Sequence, residues 1–117
     1  MEELAQIEEG QLSLDVYETT KQLIIIAPIA GVRLEDVNLT VTEDVLTIKG
    51  SRKNEFKITD EDYLIQECFW GDFSRSIVLP DNVDTTKINA SFKDGVLKIT
   101  IPKTSGNKTK LIKIKHE

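Results

Sequence analysis

Ala90-Ser91-Phe92-Lys93-Asp94-Gly95-Val96-Leu97-Lys98-Ile99-Thr100-Ile101 carries the fold in one stretch. Ile88, Ala90 and Phe92 alternate with polar neighbours on the way in, and Leu97, Ile99 and Ile101 alternate on the way out. Side chains two apart on an extended chain share a face, so each run reads as a strand with one face buried. Asp94-Gly95 between them is a two-residue hairpin turn, because glycine readily takes the positive φ that a type I′ turn requires. Pro102 ends the returning strand, and with it the domain.

Working towards the N-terminus, the same punctuation repeats. Gln11 to Tyr17 places Leu12, Leu14 and Val16 on one face, which predicts a half-buried strand. Leu23 to Ile29 is almost continuously apolar, as expected for a strand covered on both sides, and the polar turn from Glu18 to Gln22 makes the two a hairpin. Val32 to Asp36 predicts one short helical turn. Val37, Leu39 and Val41 then alternate, and Glu43-Asp44 turns the chain into Val45, Leu46 and Ile48. Lys49 to Asp62 is a charged loop, with Phe56 and Ile58 alternating inside it as a short strand. Leu64 to Trp70 and Phe73 to Leu79 are two more strands joined at Gly71-Asp72. Eight or nine short strands result, with no long helical period.

Composition agrees. Val, Ile and Thr supply 33 of the 117 residues and Ala only four, which favours pleated sheet over helix. The length allows one domain. The expectation is an all-β chain folded as an antiparallel, immunoglobulin-like β-sandwich over residues 11–102. A short acidic arm (1–10) precedes it and a C-terminal extension (103–117) follows.

The net charge of −5 opposes attraction to nucleic acid or anionic lipid. It hides a gradient: residues 1–20 hold six acidic and no basic side chains, whereas residues 103–117 hold five Lys and one Glu. The run from Leu23 to Val32 is too short to span a bilayer and is broken by Pro28 and Gly31, so no integral membrane segment is expected. The acidic N-terminus is the opposite of a signal peptide's basic start, which makes a cytoplasmic protein the expectation.

Chemistry finds little to use. His116 sits beside the chain end, where a base or metal ligand lacks a rigid setting, and Cys68 lies in an apolar run without a nearby histidine. Neither glycine-rich phosphate motif occurs, and Asp60-Glu61-Asp62 lacks the alternation and central glycine of a calcium loop. No catalytic residue, metal or cofactor is therefore expected. The basic tail has no aromatics for stacking bases and is too short for an amphipathic membrane helix. In Ile112-Lys113-Ile114 both isoleucines project to one face of an extended chain, as a two-knob plug on a tether. A further strand of its own sandwich is the competing reading for that segment.

Taken together, these residues resemble the small heat-shock protein family with its α-crystallin domain, in its bacterial and archaeal form. Ala90, Gly95, Val96 and Leu97 match the A-x-x-x-G-V-L signature, and Ile99 to Lys103 match the I-x-I-P-K that follows. Pro28-Ile29-Ala30-Gly31-Val32 ahead of Glu35-Asp36-Val37, Leu46-Thr47-Ile48-Lys49-Gly50, and Gly71-Asp72-Phe73-Ser74-Arg75 leading to Leu79-Pro80 also match. Ile112-Lys113-Ile114 looks like the family's I-x-I tail. The resemblance covers about residues 11–114.

The resemblance implies an ATP-independent holdase that binds partly unfolded client proteins and has no active site. It implies a homodimer in which the Ser51 to Asp62 loop crosses to the partner, bringing Phe56 and Ile58 against Leu12, Leu14 and Val16. It implies higher oligomers in which Ile112 and Ile114 fill a groove between the Val37 to Thr42 and Phe73 to Leu79 strands, lined by Val37, Leu39, Val41, Ile77 and Leu79. Arg75 corresponds to the family's arginine in F-x-R and is expected in an ion pair near the dimer interface. Family members usually carry a long hydrophobic N-terminal arm, whereas about ten residues precede the first strand here. A p23-like adaptor of the same fold is the alternative function, and an extracellular adhesion or lectin sandwich is a third.

Overall fold

The computed structural model describes residues 10–104 and 112–116. Among them are eight strands: β1 (Gly10–Gln11), β2 (Asp15–Glu18), β3 (Gln22–Pro28), β4 (Val37–Thr42), β5 (Val45–Arg52), β6 (Gly71–Val78), β7 (Asn89–Lys93) and β8 (Val96–Pro102). Single 3-10 turns at Leu34–Asp36, Asp60–Asp62 and Thr85–Lys87 complete the regular structure. The strands form two four-stranded sheets, one ordered β1-β6-β5-β4 and the other β2-β3-β8-β7. All pairs are antiparallel except β1 with β6. The expected β-sandwich is therefore the fold.

Its core lies where the inner faces meet. Ile25, Ile99 and Ile101 of the second sheet are fully buried, and Leu46, Ile48 and Phe73 of the first sheet are nearly so. Asp94 and Gly95 take φ of 54° and 77°, the pair of positive values that a type I′ turn needs. The Gly95 carbonyl then accepts a hydrogen bond from the Ile29 N–H at 2.7 Å, tying this turn to the end of β3. Gly50 pairs with Phe73 across β5 and β6, and the ring fills the space above the glycine: a Cβ there would lie 2.4 Å from Phe73 Cζ. The Arg52 guanidinium stands 5.5 Å from the same ring's centroid.

Two expectations about strands are corrected. Gln11 to Tyr17 is not one strand but two short pieces. β1 joins the first sheet through Gly10↔Phe73 and Gln11↔Ser74, and β2 joins the second through pairs from Asp15↔Ile26 to Glu18↔Leu23. Between them the chain crosses the end of the sandwich. Leu12 is buried there, Leu14 is half-buried and Val16 is 47% exposed. A chain that changes sheets must leave one ladder before it can enter the other, which alternation alone does not reveal.

The second correction concerns residues 53–70, which contain no strand, neither around Phe56 and Ile58 nor over Leu64 to Trp70. β5 is already paired to β4 and β6, and β6 to β5 and β1, so the intervening segment finds no vacant ladder between them. No helix among the described residues is long and apolar enough to cross a membrane.

Candidate interaction surfaces

The short link from β1 to β2 puts both strands at one end of the sandwich, so β4 and β7, the last strands of the two orders, share the other end. Every sheet thus finishes in an edge strand whose outer side has no partner among the described residues. Such edges present unpaired N–H and C=O groups to any further strand.

At the β2 end, Val16 and Tyr17 are about half exposed, at 47% and 49%. Leu12 does not join them. It packs in its own subunit's core, so it cannot meet an exchanged strand as expected, and Leu14 is half-buried against that core. Arg75 lies beside the crossing: its Nη1 donates to the Leu12 carbonyl at 2.8 Å. The expected ion pair is replaced within one subunit by this backbone bond, and none of the ion pairs among the described residues includes Arg75.

The 53–70 segment carries several exposed large apolar side chains. Phe56 is 72% exposed, Ile58 48%, Leu64 99% and Ile65 75%. Its root is fastened to residues 30–36: Arg33 pairs with Glu55, Lys53 Nζ lies 3.3 Å from Asp36, and Arg52 Nε donates to the Ala30 carbonyl at 2.9 Å. Further out it bonds to itself, with the Phe56 N–H on Asn54 Oδ1 at 3.0 Å and Thr59 Oγ1 on Asp62 at 2.8 Å. The apolar side chains point to solvent from a segment held at its base.

At the other end, the expected groove between the Val37 to Thr42 and Phe73 to Leu79 strands does not exist, because β5 lies between them. Leu79 is buried in the core and Ile77 is packed against it. Val37, Leu39 and Val41 do sit at an open edge, half-buried on the inner face of β4. Ile88 and Phe92 are likewise half-buried, with exposed Ala90 between them on β7. At this end, therefore, the half-buried apolar residues of the two edge strands are Val37, Leu39 and Val41 on β4 and Phe92 on β7, with Ile88 just before β7. The alternation of Ile88, Ala90 and Phe92 was the available signal, but strand neighbours across a sandwich are not written in local pattern.

Ile112 and Ile114 are 79% and 90% exposed in a segment without regular secondary structure. Residues 105–111, including the expected link at Ser105-Gly106-Asn107, lie outside the described residues, as does the acidic arm over 1–9. Of the remaining signature residues, Gly95 makes the hairpin turn, Leu97 is buried and Val96 is 37% exposed. Cys68 is a free, exposed thiol. Among the described residues no three His, Cys, Asp or Glu side chains are grouped to hold a metal. The arrangement offers open strand edges and exposed apolar side chains.

Comparison with known proteins matches residues 15–115 to the Hsp20/alpha crystallin family. The chain is 38% identical over 100 residues to small heat shock protein C4 of Rickettsia felis, covering 86% of this chain and 61% of that protein. It spans 61% and 66% of the length of two Rickettsia felis relatives. A small heat-shock protein of Xylella fastidiosa superposes with a TM-score of 0.76 at 31% identity, over 90% of this chain and 96% of that one. Heat shock protein 16.0 of Schizosaccharomyces pombe gives 0.75 at 34%, over 92% and 100%.

Proposed function

Since the chain belongs to the Hsp20/alpha crystallin family, we propose that it is an ATP-independent holdase of the cytoplasm, binding partly unfolded proteins and keeping them from aggregating. The observation that carries this reading is the set of exposed apolar side chains, Phe56, Ile58, Leu64 and Ile65, on a loop whose root is fastened to residues 30–36. Large apolar groups displayed together mark a surface for other chains. The function needs no catalytic residue, metal or cofactor.

Assembly uses the same features. The 53–70 loop of one subunit crosses to the open β2 edge of a second copy, where Phe56 and Ile58 meet Val16. Strand addition there supplies the ladder partner that the loop lacks at home. The dimers associate further when Ile112 and Ile114 enter the groove at the β4 and β7 edges of a neighbour. Two buried isoleucines contribute about 3–6 kcal/mol before association costs, so a single plug is weak and several together are strong. Arg75, next to this end of the sandwich, takes its ion-pair partner from the second copy.

The test is light scattering from a heat-labile client warmed with and without the protein, without ATP. Suppressed scattering supports the holdase; undiminished scattering overturns it in favour of an adaptor role. In a second experiment, Ile112→Ala with Ile114→Ala lowers the mass seen by light scattering after size exclusion and leaves a folded dimer. An unchanged mass overturns the plug.

A further inference from the structure

The open edge at β2 and the root of the C-terminal tail are joined by one ion pair. Lys103 Nζ lies 2.9 Å from Glu18 Oε1, with the Lys103 side chain 21% exposed and that of Glu18 61%. Glu18 is the last residue of β2. Lys103 is the first residue beyond β8, and its N–H donates to the Lys21 carbonyl at 2.8 Å. It also bridges Val83, and the Thr104 N–H donates to the Asn82 carbonyl at 2.9 Å. The last anchored residues before the tail are thus gripped between the β2–β3 turn and residues 82–83. The long Lys103 side chain reaches from there to the edge strand. Beside it, a cleft of about 490 Å³ runs along Val16, Tyr17, Glu18 and Leu23 towards Pro80 and Asn82.

We infer that Glu18 and Lys103 couple the two assembly contacts of a subunit, so that a strand from a second copy on β2 sets the direction in which the tail leaves. The inference rests on the loop-exchange and tail-plug reading above. A strand laid on β2 takes water away from Glu18, and a desolvated carboxylate that loses its ammonium partner is left at a high cost, so the pair is held closed. The Lys103 side chain is then held on β2 as its backbone is held on Lys21, which fixes the root from which Ile112 and Ile114 are presented. Fewer accessible directions mean less entropy lost when Ile112 and Ile114 enter a neighbour's groove. Coupling of this kind is reciprocal, so an engaged tail also strengthens the contact at β2. Lys103 acts here as a positioning residue, through Glu18.

The experiment compares the full chain with Lys103→Gln, Glu18→Gln and the reversed pair Glu18→Lys with Lys103→Glu, in a concentration series read by light scattering after size exclusion. Each single variant is expected to raise the concentration for half-maximal association beyond the dimer about fivefold, the lower end of ordinary coupling. The reversed pair restores it. Added salt weakens assembly of the unsubstituted chain through screening and has less effect on Lys103→Gln. A purely structural role for Lys103 would produce neither the rescue nor the altered salt response. Single variants that assemble like the unsubstituted chain, or a reversed pair as weak as the singles, overturn the coupling. Ile112→Ala with Ile114→Ala runs in the same series. If it loses assembly while Lys103→Gln does not, the coupling alone fails; if it assembles normally, the tail plug fails and the coupling with it.

Discussion

β5 and the loop that follows it use the same local pattern and meet opposite fates. Leu46 and Ile48 alternate with polar residues and are each 1% exposed; Phe56 and Ile58 alternate likewise and are 72% and 48% exposed. The difference is not hydrophobicity. β5 lies between β4 and β6 and has both ladders filled, whereas the loop has no neighbouring strand in its own subunit. Alternation encodes readiness to be a strand, and an available edge decides whether one forms. One pattern therefore builds the subunit where an edge is at hand and offers a contact to a second chain where it is not.

That contrast can be broken at several points. Ile99→Ala, at a fully buried site, is expected to lower the unfolding free energy by about 2–5 kcal/mol in urea titration. A loss well under 1 kcal/mol would place Ile99 outside the core. Gly50→Ala forces a methyl group into the Phe73 ring and costs about 1–3 kcal/mol by the same measurement; no loss would mean that the ring is free to move aside. Deleting Glu55 to Thr59 should remove the dimer, leaving monomers in light scattering, while the β-sheet circular dichroism signal is retained. A dimer surviving that deletion removes the loop from the interface. The smallest effect is at Asp84, whose carboxyl is held below its ordinary 3.8 by the Thr86 hydroxyl and then the Thr86 N–H. A pKa lower in the folded state adds stability that is full above the ordinary value and is lost as pH falls through the folded value. Asp84→Asn should therefore lower the thermal midpoint slightly at neutral pH and leave it nearly unchanged at the acid extreme, which flattens the acid side of the profile. Superimposable acid limbs would exclude that contribution.

Sequence pattern located the hairpins because their signals are local. Asp94-Gly95 requires positive φ at both positions, and the run from Leu23 to Ile29 declares a strand covered on both faces. It failed where the outcome depends on distant neighbours. Leu64 to Trp70 has the composition of a strand but no ladder to join. Leu12 to Val16 has one alternation but serves two sheets. The groove implied by the resemblance set the Val37 to Thr42 strand beside Phe73 to Leu79, because nothing in either stretch says that β5 will lie between. Arg75 matches the family's arginine in F-x-R, yet the carbonyl that it bonds is 63 residues away and carries no side-chain signal. The Glu18–Lys103 pair escaped notice for the same reason.

The pairing of β3 with β8 joins Gln22 to Pro102 and Pro28 to Val96, so the centre of the second sheet is made from the two ends of the domain. The β4-β5-β6 meander is local by comparison and is complete by Val78. During synthesis the β2–β3 hairpin must therefore leave the ribosome with Leu23, Ile25 and Ala27 uncovered, and wait for the last strand to be translated before they can be buried. Until then, each nascent copy displays the kind of surface that the finished protein is proposed to shield on others.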